Sequence, residues 1–279
     1  MNSNIERGWS KTLDNMLRFD DPKYIVEHSD EYVFSPLIRL CYQKYVSYNA
    51  QEALLNKGFL PVLRALATCT NLRKDIQLKL IEFEDQQINV ALALNLSCKQ
   101  EVQDKLKETG DFKVIGCLAT QSFKPELFLK YNNIFVYTCL AANKNISSEV
   151  VKAIREKFDD WDIDYALAQN ERSPIEVLTE LAKKDLVGIR ICVAKNTAIN
   201  DKIINLLIHD SDPEVRKTLV QYNTPKLTRK HLYELCEDNS FEVTEMLASK
   251  ILPSEVELKL IESNVFGEVD KIQFNKYQG

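Results

Sequence analysis

The chain has 279 residues, 45% hydrophobic and 28% charged, which supplies a substantial core and excludes disorder as the resting state. Its 7 Gly and 8 Pro fall well below the roughly 7% and 5% usual in globular chains, too few for the many turns of an all-β fold. A net charge of −5, from 41 acidic and 36 basic residues, excludes a global field that would gather nucleic acid or an anionic membrane.

At the start of the chain, residues 1–31 carry Trp9, Leu13, Met16, Leu17 and Phe19 at helical spacing and predict an N-terminal capping helix region. The first eight residues lack the basic start and apolar stretch of a secretory signal. No apolar run approaches the roughly 20 residues that span a bilayer, so no membrane association is expected. The seven cysteines, an odd number, form no C-x-x-C pair, so a reduced, cytoplasmic setting is expected, with no metal and no cofactor.

From 32 to 263 the sequence repeats. A Leu or Val followed by a small residue recurs at Leu40-Cys41, Leu66-Ala67, Leu92-Ala93, Leu118-Ala119, Leu140-Ala141, Leu167-Ala168, Val193-Ala194, Leu219-Val220 and Leu247-Ala248. The small residues are 26, 26, 26, 22, 27, 26, 26 and 28 positions apart. Five positions before each, from the second copy on, stands a Val or Ile: Val62, Ile88, Val114, Val136, Ile163, Ile189, Val215 and Val243. A third column follows the anchor at Ile76, Val102, Leu127, Val150, Val177, Ile203, Leu227 and Val256.

Each copy reads as two helices. Asp212-Pro213-Glu214 opens a first helix, with Asp as cap and Pro at the first helical position. Thr224-Pro225 restarts a second helix carrying Leu227, Leu232 and Leu235, and Ser173-Pro174-Ile175-Glu176 reads as a capping box. Pro125, Pro174, Pro225 and Pro253 mark the same turn in four copies. The small anchor residue suits close approach of stacked helices, which bury a continuous core that no copy forms alone. The fold expected is an all-α solenoid of about eight to nine two-helix repeats of ~26 residues. Residues 264–279 hold Val269 and Phe274 in column positions and read as a C-terminal partial repeat or cap. The 22-residue interval between Ala119 and Ala141 marks a shortened copy, and with no Gly-, Ser- or Pro-rich linker the chain reads as one elongated domain.

The segments Leu167-Ala168-Gln169-Asn170-Glu171-Arg172-Ser173-Pro174-Ile175-Glu176-Val177 and Asp212-Pro213-Glu214-Val215-Arg216-Lys217-Thr218-Leu219-Val220 resemble the leucine-rich repeat variant family and, more loosely, HEAT-like solenoids. The resemblance covers 60–263 and is strongest over 163–220. It implies a right-handed curved stack in which one helix per unit is short or 3-10, and it implies no single activity. One departure stands out: the Arg after the Val/Ile column occurs only at Arg190 and Arg216, while Asn89, Ile115, Tyr137, Asp164 and Thr244 hold that place elsewhere.

Candidate chemistry is sparse. Cys117, Cys139 and Cys192 lie two residues before the anchor Ala and read as small core hydrophobes. His28, His209 and His231 form no ligand or catalytic spacing and read as exposed helix-end residues. The run Phe158-Asp159-Asp160-Trp161-Asp162-Ile163-Asp164-Tyr165 falls in the turn between copies, where acids suit the positive end of the next helix.

Residues 165–235 hold 11 Lys/Arg against 9 Asp/Glu. There Arg190 and Arg216 recur one copy apart, with Lys195, Lys217, Lys226, Arg229 and Lys230 close by, and such a stripe could track a phosphate backbone. The leading expectation is a non-enzymatic scaffold that binds a protein through the solenoid groove, with these cations and Trp161 as candidate contacts. The alternative is nucleic-acid binding through 165–235. HEAT-like solenoids include alkyl-base DNA-repair enzymes, and that analogy would rest on Trp161 and Asp164.

Overall fold

The computed structural model describes residues 35–43 and 45–263. The capping helix expected in 1–31 and the partial copy at 264–279 lie outside the described residues. Among the described residues there are 17 α-helices, two 3-10 helices and no strand.

Contacts divide the chain into two units, with the boundary between Gln121 and Ser122. In the first, α1 (Ser35–Cys41), α3 (Leu60–Ala67), α5 (Gln86–Leu94) and α7 (Phe112–Gln121) pack in succession as one layer. The intervening α2 (Tyr48–Lys57), α4 (Lys74–Ile81) and α6 (Gln100–Glu108) pack on one another as the second layer. In the second unit, α8 (Ile134–Ala141), α10 (Trp161–Gln169), α12 (Val187–Lys195), α14 (Pro213–Asn223) and α16 (Phe241–Ala248) stack in the same way. Their partners are α9 (Ser148–Lys157), α11 (Ile175–Leu181), α13 (Asp201–Leu207), α15 (Arg229–Cys236) and α17 (Ser254–Glu262). Each unit is therefore a helical-repeat stack of the kind the sequence columns predict. The boundary falls inside the shortened copy, whose second helix is reduced to the 3-10 turn Pro125–Phe128.

The columns are the core. All eight Val/Ile residues five before the anchor are at most 2% exposed, and Ala67, Ala119, Ala141, Ala168 and Ala194 are fully buried. Burial of each such branched side chain stabilises by about 1.5–3 kcal/mol relative to exposure. Leu127 and Val177 break the third column: Leu127 points outward from the 3-10 turn and Val177 is half-buried, and the next residues, Phe128 and Leu178, are buried in their place. Cys117 and Cys192 are buried and Cys139 partly so.

Side-chain caps place at least eight of the 17 helix starts among the described residues. Ser47, Asp85, Asn133, Ser147, Asp160, Asn200, Asp212 and Thr228 each accept a backbone N–H of the helix that follows. Two expected starts differ. The Ser173 hydroxyl is buried and donates back to the Leu167 carbonyl at 2.6 Å, so α11 begins after Pro174 without a capping box. After α14 the chain makes a 3-10 turn over Thr224–Lys226, and α15 starts only at Arg229. There Thr228 and His231 form the reciprocal cap. His231 is thus buried rather than exposed: its Nδ1 accepts from the Thr228 N–H at 3.2 Å and its Nε2 lies 3.2 Å from Asn205 Oδ1.

A polar column runs beside the apolar ones. At or just past the end of seven first helices, one polar side chain reaches back to the C-terminal end of the preceding first helix or the turn after it. Asn95 Nδ2 donates to the Ala67 and Cys69 carbonyls at 2.7 and 2.9 Å, and Asn170 Nδ2 to those of Ala141 and Asn143 at 2.7 and 2.8 Å. Asn196 Nδ2 donates to Ala168 and Asn170 at 2.8 and 3.2 Å, and Asn223 to Ala194 at 2.7 Å. Gln121 does the same to Leu94, Asn143 to Ser122 and Lys250 to Gln221. Each side chain satisfies carbonyls that a helix end leaves orphaned, so the ladder binds consecutive copies by their backbones.

Candidate functional site

At four successive copies of the second unit, the residue after the Val/Ile column position meets the residue five before the next copy's own column, and the two form a complementary pair, a rung. Tyr137 meets Phe158 edge-to-face with centroids 5.1 Å apart. Asp164 meets Lys184 at 2.9 Å. Arg190 forks onto Asp210 at 2.7 and 2.9 Å, and Arg216 onto Asp238 at 2.6 and 2.7 Å.

The arginines are also woven into the backbone. Arg190 donates to the Lys184 and Asp185 carbonyls, and Arg216 to that of Asp210. Asp210 and Asp238 meanwhile accept the N–H two residues on, shaping the turn into the next helix. Hydrogen bonding to Asp210 raises the pKa of Arg190, Asp238 does so for Arg216, and Asp164 does so for Lys184.

The candidate cations do not assemble into one free stripe. The Arg190 and Arg216 side chains are only 11% and 14% exposed within their ion pairs. Lys217 pairs with Glu214 one turn back, and Lys226 caps the Thr197 and Ile199 carbonyls. Arg229 and Lys230 open α15, in the other layer, near Glu255 and Glu234. Lys195 is exposed at the end of α12. Trp161 is exposed as the first residue of α10, while Asp164, three residues on, is held in its rung.

Trp161 belongs to a further column. The first residue of each stacked first helix in the second unit is Ile134, Trp161, Val187, Pro213 or Phe241. All five are apolar and none is buried; Ile134, Trp161 and Phe241 are 42–49% exposed, and Leu186 beside Val187 is 45% exposed. Leu60 and Phe112 hold the same place in the first unit.

The first unit differs at one rung. The pair there is Asn89 and Thr109, both too short to bridge, and both line a cavity of about 710 Å³. Asn89 is 7% exposed and its Oδ1 accepts no hydrogen bond, while the Thr109 hydroxyl turns back to the Leu106 carbonyl at 2.7 Å. The walls carry Glu82, Glu84, Glu101, Glu108 and Asp111 against one ammonium, Lys105. Glu101 pairs with Lys74 at 2.7 Å, and Asp111 accepts from Gln86 at 2.7 Å. Glu84 stands at φ 53, a left-handed conformation uncommon outside glycine.

One ion pair nearby sets a pH dependence. Arg64 forks onto Asp85 at 2.7 and 3.1 Å, and this hydrogen bonding holds the Asp85 carboxyl below the ordinary carboxylate range. A lowered folded pKa gives stability that is complete above the unfolded value, near 4, and is lost as pH falls through the folded value. Arg64→Gln is therefore expected to cost about 1 kcal/mol at pH 7 and much less at pH 2. Thermal melts of both proteins at the two pH values check this.

Among the described residues no helix is long and apolar enough to cross a membrane, and no three His, Cys, Asp or Glu side chains converge as a metal site. No family model, curated protein or solved structure matches the chain.

Proposed function

We propose that the chain is a non-enzymatic interaction scaffold of the leucine-rich repeat variant kind, binding another protein along its stacked first helices. The observation that carries this reading is the apolar column Ile134, Trp161, Pro213 and Phe241, exposed at one register with Val187 half-buried among them, while most of the residues in the core columns are buried. Scattered exposed apolar residues are ordinary, but a registered row across successive helices is a surface, and aromatic anchors of this kind dominate protein interfaces. A phosphate backbone finds less here, because Arg190 and Arg216 already have carboxylate partners. The one acid of the base-repair analogy, Asp164, is engaged by Lys184.

The test is capture of partners by the tagged chain from its native cells, with and without nuclease. A stoichiometric protein that survives nuclease and falls at least tenfold with Trp161→Ala plus Phe241→Ala supports the reading. Nucleic acid retained at low salt and released at high salt would overturn it.

A further inference from the structure

We propose that the cavity at the vacant rung of the first unit binds an arginine side chain of the partner protein. This inference rests on the protein-binding reading above. The ligand chemistry comes from the chain itself. At the same register in the second unit, an arginine fills the space between copies, forking onto a carboxylate and donating to nearby backbone carbonyls. Between α5 and α7 the chain supplies no such side chain. What it leaves is an acceptor without a donor, Asn89 Oδ1, in a residue more than nine-tenths buried.

A donor-only group is the natural complement, because a buried acceptor left unpaired is costly. The carboxylates select a cation. Glu82, Glu84 and Glu108 line the cavity and have no ion-pair partner among the described residues. Leu78 and Ile81 offer an apolar wall to an aliphatic stem. A planar fork of five N–H donors serves several separated acceptors at once, which a compact ammonium or a metal ion does not. No three of these side chains converge at metal-ligand spacing among the described residues. The volume of about 710 Å³ holds the side chain with its flanking backbone.

The experiment titrates the full chain with Nα-acetyl-arginine amide, and separately with the lysine analogue, by isothermal calorimetry and NMR. Saturable arginine binding, at least tenfold tighter than lysine, is expected. Glu82→Gln with Glu108→Gln should weaken it severalfold. Asn89→Arg with Thr109→Asp writes the Arg190–Asp210 rung into this position, and should abolish arginine binding while raising the melting temperature. If that variant loses its helical circular dichroism, Asn89→Leu, which removes the orphan acceptor at similar volume, carries the same expectation of lost binding. Absence of saturable binding, equal affinity for lysine, or undiminished binding in the rung-filling or Asn89→Leu variant overturns the inference. The two readings fail separately. Partner capture that depends on Trp161 and Phe241, beside a blank arginine titration, removes only the cavity ligand. Arginine binding with no captured protein removes the scaffold reading and the partner as its source.

Discussion

Asn196→Ala is expected to destabilise the second unit by about 3 kcal/mol, although it removes one small exchangeable-looking polar side chain. In the wild type its amide donates to the carbonyls of Ala168 and Asn170, and its Oδ1 accepts the Ala198 N–H at 2.8 Å. Alanine leaves the buried Ala168 carbonyl and the Ala198 N–H without these partners, while the Asn170 carbonyl keeps only the Ser173 N–H. Asn196→Leu is expected to do no better, because restored volume does not restore donors. Asn205, by contrast, is exposed on α13, where its amide donates to the Asp201 carbonyl of its own helix and its Oδ1 lies 3.2 Å from His231 Nε2. Asn205→Ala is expected to cost about 1 kcal/mol. Urea unfolding followed by circular dichroism compares the three variants. Equal midpoints for Asn196→Ala and Asn205→Ala would show that the ladder does not couple the copies.

The parts of this fold that were legible in the sequence are those written in apolar residues. Val62 through Val243 recur at a fixed offset from the anchors because the same wall must be covered in every copy, so a simple alignment of copies finds the core. The asparagine ladder carries a weaker signal of the same sort. Asn95, Gln121, Asn143, Asn170 and Asn196 share one offset of two from the anchor, but their acceptors are backbone carbonyls 21–29 residues away, and backbone has no letter in a sequence. The ionic rungs were half visible. The recurrence of Arg190 and Arg216 stands out, whereas Asp210 and Asp238 belong to the next copy and look like ordinary turn residues. Read without their partners, the arginines suggest a phosphate-binding stripe; read with them, they are ties between helices. The cavity was invisible for the same reason, since it arises where Asn89 and Thr109 fail to pair. Ser173 shows the opposite limit: its motif was a good capping box, but burial of its hydroxyl against Leu167 decided the geometry.

The ionic rungs yield the second large effect. Asp238→Asn keeps the Oδ1 that accepts the Ser240 N–H but removes the charge beneath the Arg216 fork. Both side chains are largely withdrawn from water, at 14% and 7% exposure, so the change leaves a guanidinium without its counterion and is expected to cost about 3 kcal/mol. Arg216→Asp, facing Asp238, is expected to cost at least as much. The chain itself shows how to recover the loss: at Asp164–Lys184 the acid and base occupy the reversed positions of the same rung. Arg216→Asp combined with Asp238→Lys should therefore be more stable than the sum of the two single changes by about 2 kcal/mol in a double-mutant cycle. Full recovery is not expected, since lysine lacks both the fork and the acceptor for Ser240. The same variants bear on function. Asp238→Asn removes the negative charge that neutralises Arg216, and if the 165–235 region gathered nucleic acid, the variant would bind it more tightly and with a steeper salt dependence by about one unit. A stability loss with no gain in oligonucleotide binding assigns these arginines to holding the stack together.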